Sequence, residues 1–244
     1  MVRLTKGDFI MQKSYEAYKI DVGLCPTSLA TTNATGAYHS LAEYRNMIAI
    51  LEIGAMVAAG SVKLEVYQGK DAVGTSGKLI TGATHTIAAN VAVQSMTVAL
   101  ATVLNTQTIT INGLVFTAHT DTTVLADRQF SIAGSDTADA ALLAANINDE
   151  TYGVPGVTAA ASTGTITLTA TDKSITVTTG VGTFTLATLR ACAYVEVEGL
   201  TLEDDFTHIA CKITTASATV ICGATLLRGG NRKAITQTGG GASV

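Results

Sequence analysis

Four histidines (His39, His85, His119 and His208) and four cysteines (Cys25, Cys192, Cys211 and Cys222) are the side chains of this 244-residue chain best suited to hold a metal or attack a substrate. Their spacing supports neither role. No two histidines stand at HxH, HxxxH or HExxH separation, and no two cysteines form a CxxC pair, so the sequence offers no metal cluster or redox motif. Cys192, Cys211 and Cys222 sit in apolar runs and read as buried free thiols. Glu203-Asp204-Asp205 could supply oxygen ligands, but three consecutive acids point in different directions, so the run reads as a solvated loop. Gly74-Thr75-Ser76-Gly77 contains a serine without the GxSxG spacing of a nucleophile elbow. Gly180-Val181-Gly182 begins like a dinucleotide fingerprint but lacks the third glycine and a following helix. No catalytic, cofactor-binding or metal-ligating residue is assigned, and the chain is not expected to be an enzyme.

The elements around these residues are strands. Hydrophobic residues make up 47% of the chain and charged residues only 14%, which excludes a disordered polymer. With 40 Thr and 23 Gly, the composition favours strands joined by turns and excludes a coiled coil. Alternation marks residues 18–22 (YKIDV), 47–53 (MIAILEI), 62–67 (VKLEVY), 193–197 (AYVEV), 208–213 (HIACKI) and 218–227 (ATVICGATLL) as strands. Residues 69–77 (GKDAVGTSG) form a polar loop.

The middle of the chain differs. From 95 to 187 two basic residues, Arg128 and Lys173, stand against seven acids, a net of −5, while the remainder is near +1. That asymmetry suggests a separate unit. Residues 108–111 (TITI) run into Asn112-Gly113, a strong hairpin signal, and 114–118 (LVFTA) return. A short strand is expected at 130–132. A helix should follow, with Asp136 as N-cap, Asp139 in the first turn and Ala138, Ala141, Leu142 and Ala145 as its packed face, ending at Asn146 to Asn148. Further strands are expected at 157–161, 165–170 and 174–178, the last two joined by a Thr171-Asp172-Lys173 turn. The predicted fold class is mainly β: a β-sandwich domain, 1–94 plus 188–244, interrupted by a small inserted α+β domain at 95–187. The insertion requires the chain near Gln94 and near Leu189 to come together.

The net charge of −4 argues against a nucleic-acid partner. The apolar run at 47–60 is too short to span a bilayer and contains Glu52, and the N-terminus lacks the apolar run of a signal peptide, so no membrane association is expected. The ends carry basic residues, Arg3, Lys6, Lys13 and Lys19 at one and Arg232 and Lys233 in a Gly-rich tail at the other. Neither end can build a core, and both read as extended arms that order on a neighbour.

The strings TQTITINGLVFTA (from Thr106), FSIAGSDTADAALLAANIN (from Phe130) and GVTAAASTGTITLTATDK (from Gly156) resemble a module of tailed-bacteriophage virion proteins, of the form TINGxxFTA followed by SDTAxxAxxLAxAIN. The resemblance covers about a third of the chain. The outer segments, with Thr35-Gly36-Ala37-Tyr38-His39-Ser40-Leu41 leading to Tyr44 and a closing Leu226-Leu227-Arg228, are similar to small phage β-proteins encoded near the major capsid protein. These resemblances imply a virion structural protein, foremost a capsid decoration (cement) protein on the capsid surface, assembled in the bacterial host cytoplasm. The implied partners are the major capsid protein and other copies of the chain as a homo-oligomer, a trimer among the options. A tail tube, tail tip or fibre component, or a host-surface-binding module, is the alternative.

Overall fold

The computed structural model describes residues 18–57, 59–171 and 174–230. Among them the chain is mainly β. In chain order the strands are β1 (Tyr18–Ala30), β2 (Asn33–Thr35), β3 (His39–Ser40), β4 (Asn46–Ile53), β5 (Met56–Val57), β6 (Ser61–Gly69), β7 (Lys78–Ala88), β8 (Ser95–Leu100), β9 (Thr108–Ile111), β10 (Leu114–His119) and β11 (Gln129–Ser131). Helix α1 (Asp136–Ile147) follows, then β12 (Val157–Ser162), β13 (Thr165–Ala170), β14 (Val177–Thr179), β15 (Phe184–Glu198), β16 (His208–Ala216) and β17 (Thr219–Gly229).

These strands form three sheets. The largest runs β1-β17-β4-β15-β8-β13-β12, with β5 also on β15. A second runs β2-β16-β6-β7, with β3 also on β16, and a third runs β11-β10-β9-β14. The long strand β15 links the middle of the chain to its ends. Its first half pairs with β8 as far as Arg190, and its second half, from Ala191 to Glu198, pairs with β4. The boundary expected between 187 and 188 therefore falls inside a strand. Beside it, the Gln94 N–H donates to the Arg190 carbonyl at 3.1 Å, so the chain enters and leaves the middle segment at adjacent points.

Alternation explains the core. In β4, Met47, Ala49, Leu51 and Ile53 are buried. In β6, Val62, Leu64 and Val66 are buried, as are Ile209, Cys211 and Ile213 of β16. All belong to one continuous hydrophobic cluster with Phe116, Phe130, Leu143 and Ile166 of the middle segment. Asn112 and Gly113 close the β9–β10 hairpin at φ of 49° and 83°, the left-handed pair that a two-residue hairpin turn needs.

Several local expectations need correction. The N-cap of α1 is Ser135, one residue before Asp136; its extended backbone lets its hydroxyl accept the Ala138 N–H at 3.4 Å. Asp136 and Asp139 both lie in the first turn. The buried face of α1 is Ala140, Leu143, Ala144 and Ile147, while Ala138, Ala141 and Ala145 are exposed. Both stripes satisfy helical spacing; the larger side chains Leu143 and Ile147 decide which one turns inward. Strand β13 does not pair with β14. It pairs with β12 and β8, whereas β14 joins β9 in another sheet. Alternation fixes a strand's faces but not its partner. Asp172 and Lys173 of the expected turn lie outside the described residues. So do 1–17 and 231–244, which hold Arg3, Lys6, Lys13, Arg232 and Lys233.

Candidate functional site

The histidines are dispersed. His39 Nε2 lies 3.2 Å from the Val22 carbonyl oxygen, His119 faces Asp121 at 3.6 Å, His208 meets the Thr207 hydroxyl at 2.9 Å, and His85 pairs with Leu64 in the β6–β7 ladder. Among the described residues, no three His, Cys, Asp or Glu side chains converge as a metal site would require. The acids at 203–205 are exposed, and lysines engage Glu203 and Asp205. Glu203 binds Lys78 and accepts from the Gln68 amide at 3.1 Å, and Asp205 lies 3.7 Å from Lys70. Lys70 and Lys78 also stand over the Phe206 ring, at 5.6 and 4.9 Å. The glycines at 74 and 77 serve packing: an added Cβ at Gly74 would lie 2.2 Å from the Tyr38 ring. Burial raises the Tyr38 hydroxyl above its ordinary pKa, with Tyr67 adding to the effect. Cβ atoms placed at Gly180 and Gly182 would meet no neighbour within 4 Å.

The cysteines divide by strand parity. Cys211 and Cys222 are buried and free, and burial pushes the Cys211 thiol up to about 12. Cys192 and Cys25 are exposed. This corrects the reading of Cys192 as buried: β15 turns Ala191, Ala193, Val195 and Val197 inward, so Cys192, Tyr194, Glu196 and Glu198 point out. Burial and the nearby Glu52 carboxylate both raise the Cys192 thiol, which disfavours the thiolate a nucleophile needs.

The most developed charged cluster surrounds Arg228. Its Nε and Nη2 both lie 2.7 Å from Asp21 Oδ2, and Nη1 donates to the Ser40 carbonyl. Its guanidinium also stacks 4.6 Å from the Tyr44 ring centroid. Burial raises the Tyr44 hydroxyl, and the Arg228 charge partly counters that rise. Asp21 Oδ1 faces Lys19 at 3.9 Å and His39 at 3.8 Å. These contacts tie β1 and β17 of the large sheet to β3 of the second, so the cluster acts as a staple between sheets.

Among the described residues, a feature without a purpose inside the fold is the outer face of β1, β17, β4 and β15. Register aligns Ile20, Leu227, Ile48 and Glu196 in one cross-strand row and Val22, Thr225, Ile50 and Tyr194 in the next. Ile221 extends the surface along β17. Ile20, Val22, Ile221 and Tyr194 are 61–67% exposed, and Ile48, Ile50 and Leu227 are half-buried. Beyond Val22 and Ile221 a shallow groove runs over Gly223 to Leu24, Pro26 and Cys222. A lone exposed aliphatic residue needs no explanation, but a contiguous apolar face does. The signal was present in MIAILEI, which is apolar at both parities; reading only its buried side hid the other.

Comparison with protein-family models, with curated proteins and with solved structures finds no match for this chain.

Proposed function

We propose that the chain is a bacteriophage capsid decoration protein that binds the assembled major capsid protein lattice and stabilises the head. In this reading residues 1–94 and 188–244 form a β-sandwich docking domain with terminal arms, and 95–187 form an inserted α+β domain. The protein acts mechanically as a homo-oligomer, by adding buried interface to the particle.

The observation that carries the reading is the place from which the chain ends depart. Tyr18 pairs with Gly229 at one end of β1, the edge strand of the largest sheet. Both basic terminal segments therefore continue from one corner of the sheet, beside an edge that can accept further backbone pairing. The phage-module resemblance in the middle segment supports the same class of protein. The direct test is to separate heads from tails and quantify the chain on each by gel and by cryo-EM. Hundreds of copies on heads support the decoration role. A few to dozens of copies confined to tails would replace it with a tail component.

A further inference from the structure

We propose that the apolar outer face of β1, β17, β4 and β15 is where a second copy of this chain docks, related by a two-fold axis parallel to the strands. The inference deepens the homo-oligomer expectation of the reading above but does not depend on particle binding.

Area is the first argument. With aromatic side chains carrying 150–250 Å² and aliphatic ones somewhat less, Ile20, Val22, Ile221, Tyr194 and their half-buried neighbours leave on the order of 600 Å² of side-chain surface open. That is the upper end of what a monomer shows, and it approaches the ~800 Å² per partner of a standard interface before any rim residue is added. An apolar centre with a polar rim is the anatomy of a homodimer contact.

The distribution of charge sets the symmetry. The acids of this face, Glu52, Glu196 and Glu198, all lie on β4 and β15 and are exposed. The outward positions of β17 are Ile221, Gly223, Thr225 and Leu227, and those facing them on β1 include Ile20 and Val22, with no acid among them. A two-fold axis across the strands would lay the acid-bearing β15 of each copy over β15 of the other, gathering the acids of both copies along one strip. An axis along the strands, between β17 and β4, instead lays each β15 over the other copy's β1. Tyr194 of one copy then covers Val22 of the other, Glu196 reaches the rim beside the other copy's Ile20, and Ile50 and Thr225 lie near the axis. Such a contact is isologous and closes on itself.

The test uses the purified full-length chain. Sedimentation over a hundredfold concentration range should show a reversible monomer–dimer equilibrium, and Cys192 should react with maleimide more slowly as the dimer fills. Tyr194→Arg and Val22→Arg should each weaken the dimer at least tenfold while leaving unchanged the melting temperature measured at concentrations where the wild type is monomeric, because both side chains are more than 60% exposed in the monomer. Val73→Arg, on a residue 85% exposed in the 69–77 loop, is the control and should not alter the dimer. A chain monomeric at every concentration overturns the inference, whether Cys192 is then freely reactive (an open face) or protected (a face covered by the chain's own segment). A dimer that survives both arginine variants overturns it as well. In the dimer a short bis-maleimide should link Val22→Cys to Cys192 of the other copy; links joining only the two introduced cysteines would discard the proposed axis. Monomeric variants that still bind heads, together with a dimeric wild type, uphold this inference and leave the decoration reading intact. A dimer absent from heads keeps this inference and removes that reading.

Discussion

Arg228 holds a single oxygen of Asp21, with Nε and Nη2 both 2.7 Å from Oδ2 across a sequence separation of 207 residues. The other oxygen faces Lys19 and His39. Arg228 is 5% exposed, so its charge has lost most of its hydration and depends on this contact. Removing Arg228 leaves Asp21, still largely buried, with only the longer contacts to Lys19 and His39. Arg228→Ala should therefore cost about 3–5 kcal/mol of stability. The paired replacement Arg228→Met with Asp21→Leu should cost clearly less, since it strands no charge. Chemical denaturation of both variants decides this; equal losses would show that packing against Tyr44, not the ion pair, carries the effect.

Thiol chemistry should follow strand parity. Cys25 and Cys192 are expected to react with a water-soluble disulfide reagent in the native protein, Cys192 more slowly because its pKa is raised. Cys211 and Cys222 should react only after unfolding, since Cys211 is fully buried and its thiol is pushed up to about 12. Mass spectrometry after brief labelling reads the outcome, and native labelling of Cys211 would contradict the packing of β16.

Asp139 gives a pH dependence of known sign. Burial raises its pKa above the ordinary 3.8, Asp136 adds to the rise, and the Gly134 N–H opposes it. Between the unfolded and folded values the native state binds more protons than the unfolded one, so stability falls as pH rises through that window. The full penalty is present at neutral pH. Asp139→Asn keeps an acceptor for Gly134 and removes the buried charge. It should raise the melting temperature by a few degrees at pH 7, and the gain should vanish below the ordinary aspartate range. A gain that persists in acid would assign the effect to something other than charge burial.

A close backbone approach near the sheet edge predicts a sensitive glycine. A Cβ added at Gly36 would lie 1.5 Å from the Gly23 carbonyl oxygen. Backbone cannot yield as a flexible side chain does, so Gly36→Ala should destabilise the protein by about 3 kcal/mol or prevent folding. Gly82→Ala makes no such clash, as nothing lies within 4 Å of its added Cβ; its milder strain comes only from a φ of +80°. Thermal melts of the two variants should differ in that order.

What the sequence revealed depended on how local the determinant was. The β9–β10 hairpin was legible because Asn112-Gly113 specifies its own turn. Strands β4, β6 and β16 were legible because alternation is a property of the strand alone. The partner of β13 was not, because Thr-rich alternation fits many neighbours equally well. The expected face of α1 lies nearly opposite the observed one, an offset of two residues or about 200°, since in an Ala-rich helix only Leu143 and Ile147 discriminate. The Arg228–Asp21 contact and the apolar outer face join residues from opposite ends of the chain, and no local pattern could align them.

The junction at Gln94 and Arg190 leads to the last prediction. The Gln94 N–H donates to the Arg190 carbonyl at 3.1 Å, so the excised ends can be rejoined by a tight turn. Replacing residues 95–189 with a short Gly/Ser linker removes β8 to β14 and the first half of β15, but it leaves β1, β17, β4 and the β4-paired half of β15 in register. It also removes the Thr188 hydroxyl, which accepts the buried Asn90 N–H at 3.0 Å, so some loss of stability is expected. If the outer segments are the docking domain, the shortened chain should remain soluble, keep its β-rich circular dichroism and still attach to heads. A separate 95–187 fragment, with its own hairpin and capped helix, should fold but fail to attach. The net −5 of the fragment against +1 for the remainder points the same way, since the less acidic part meets anionic neighbours with less repulsion. A shortened chain that folds and no longer attaches would move the docking surface into the middle segment and overturn the assignment of 1–94 and 188–244 as the docking domain.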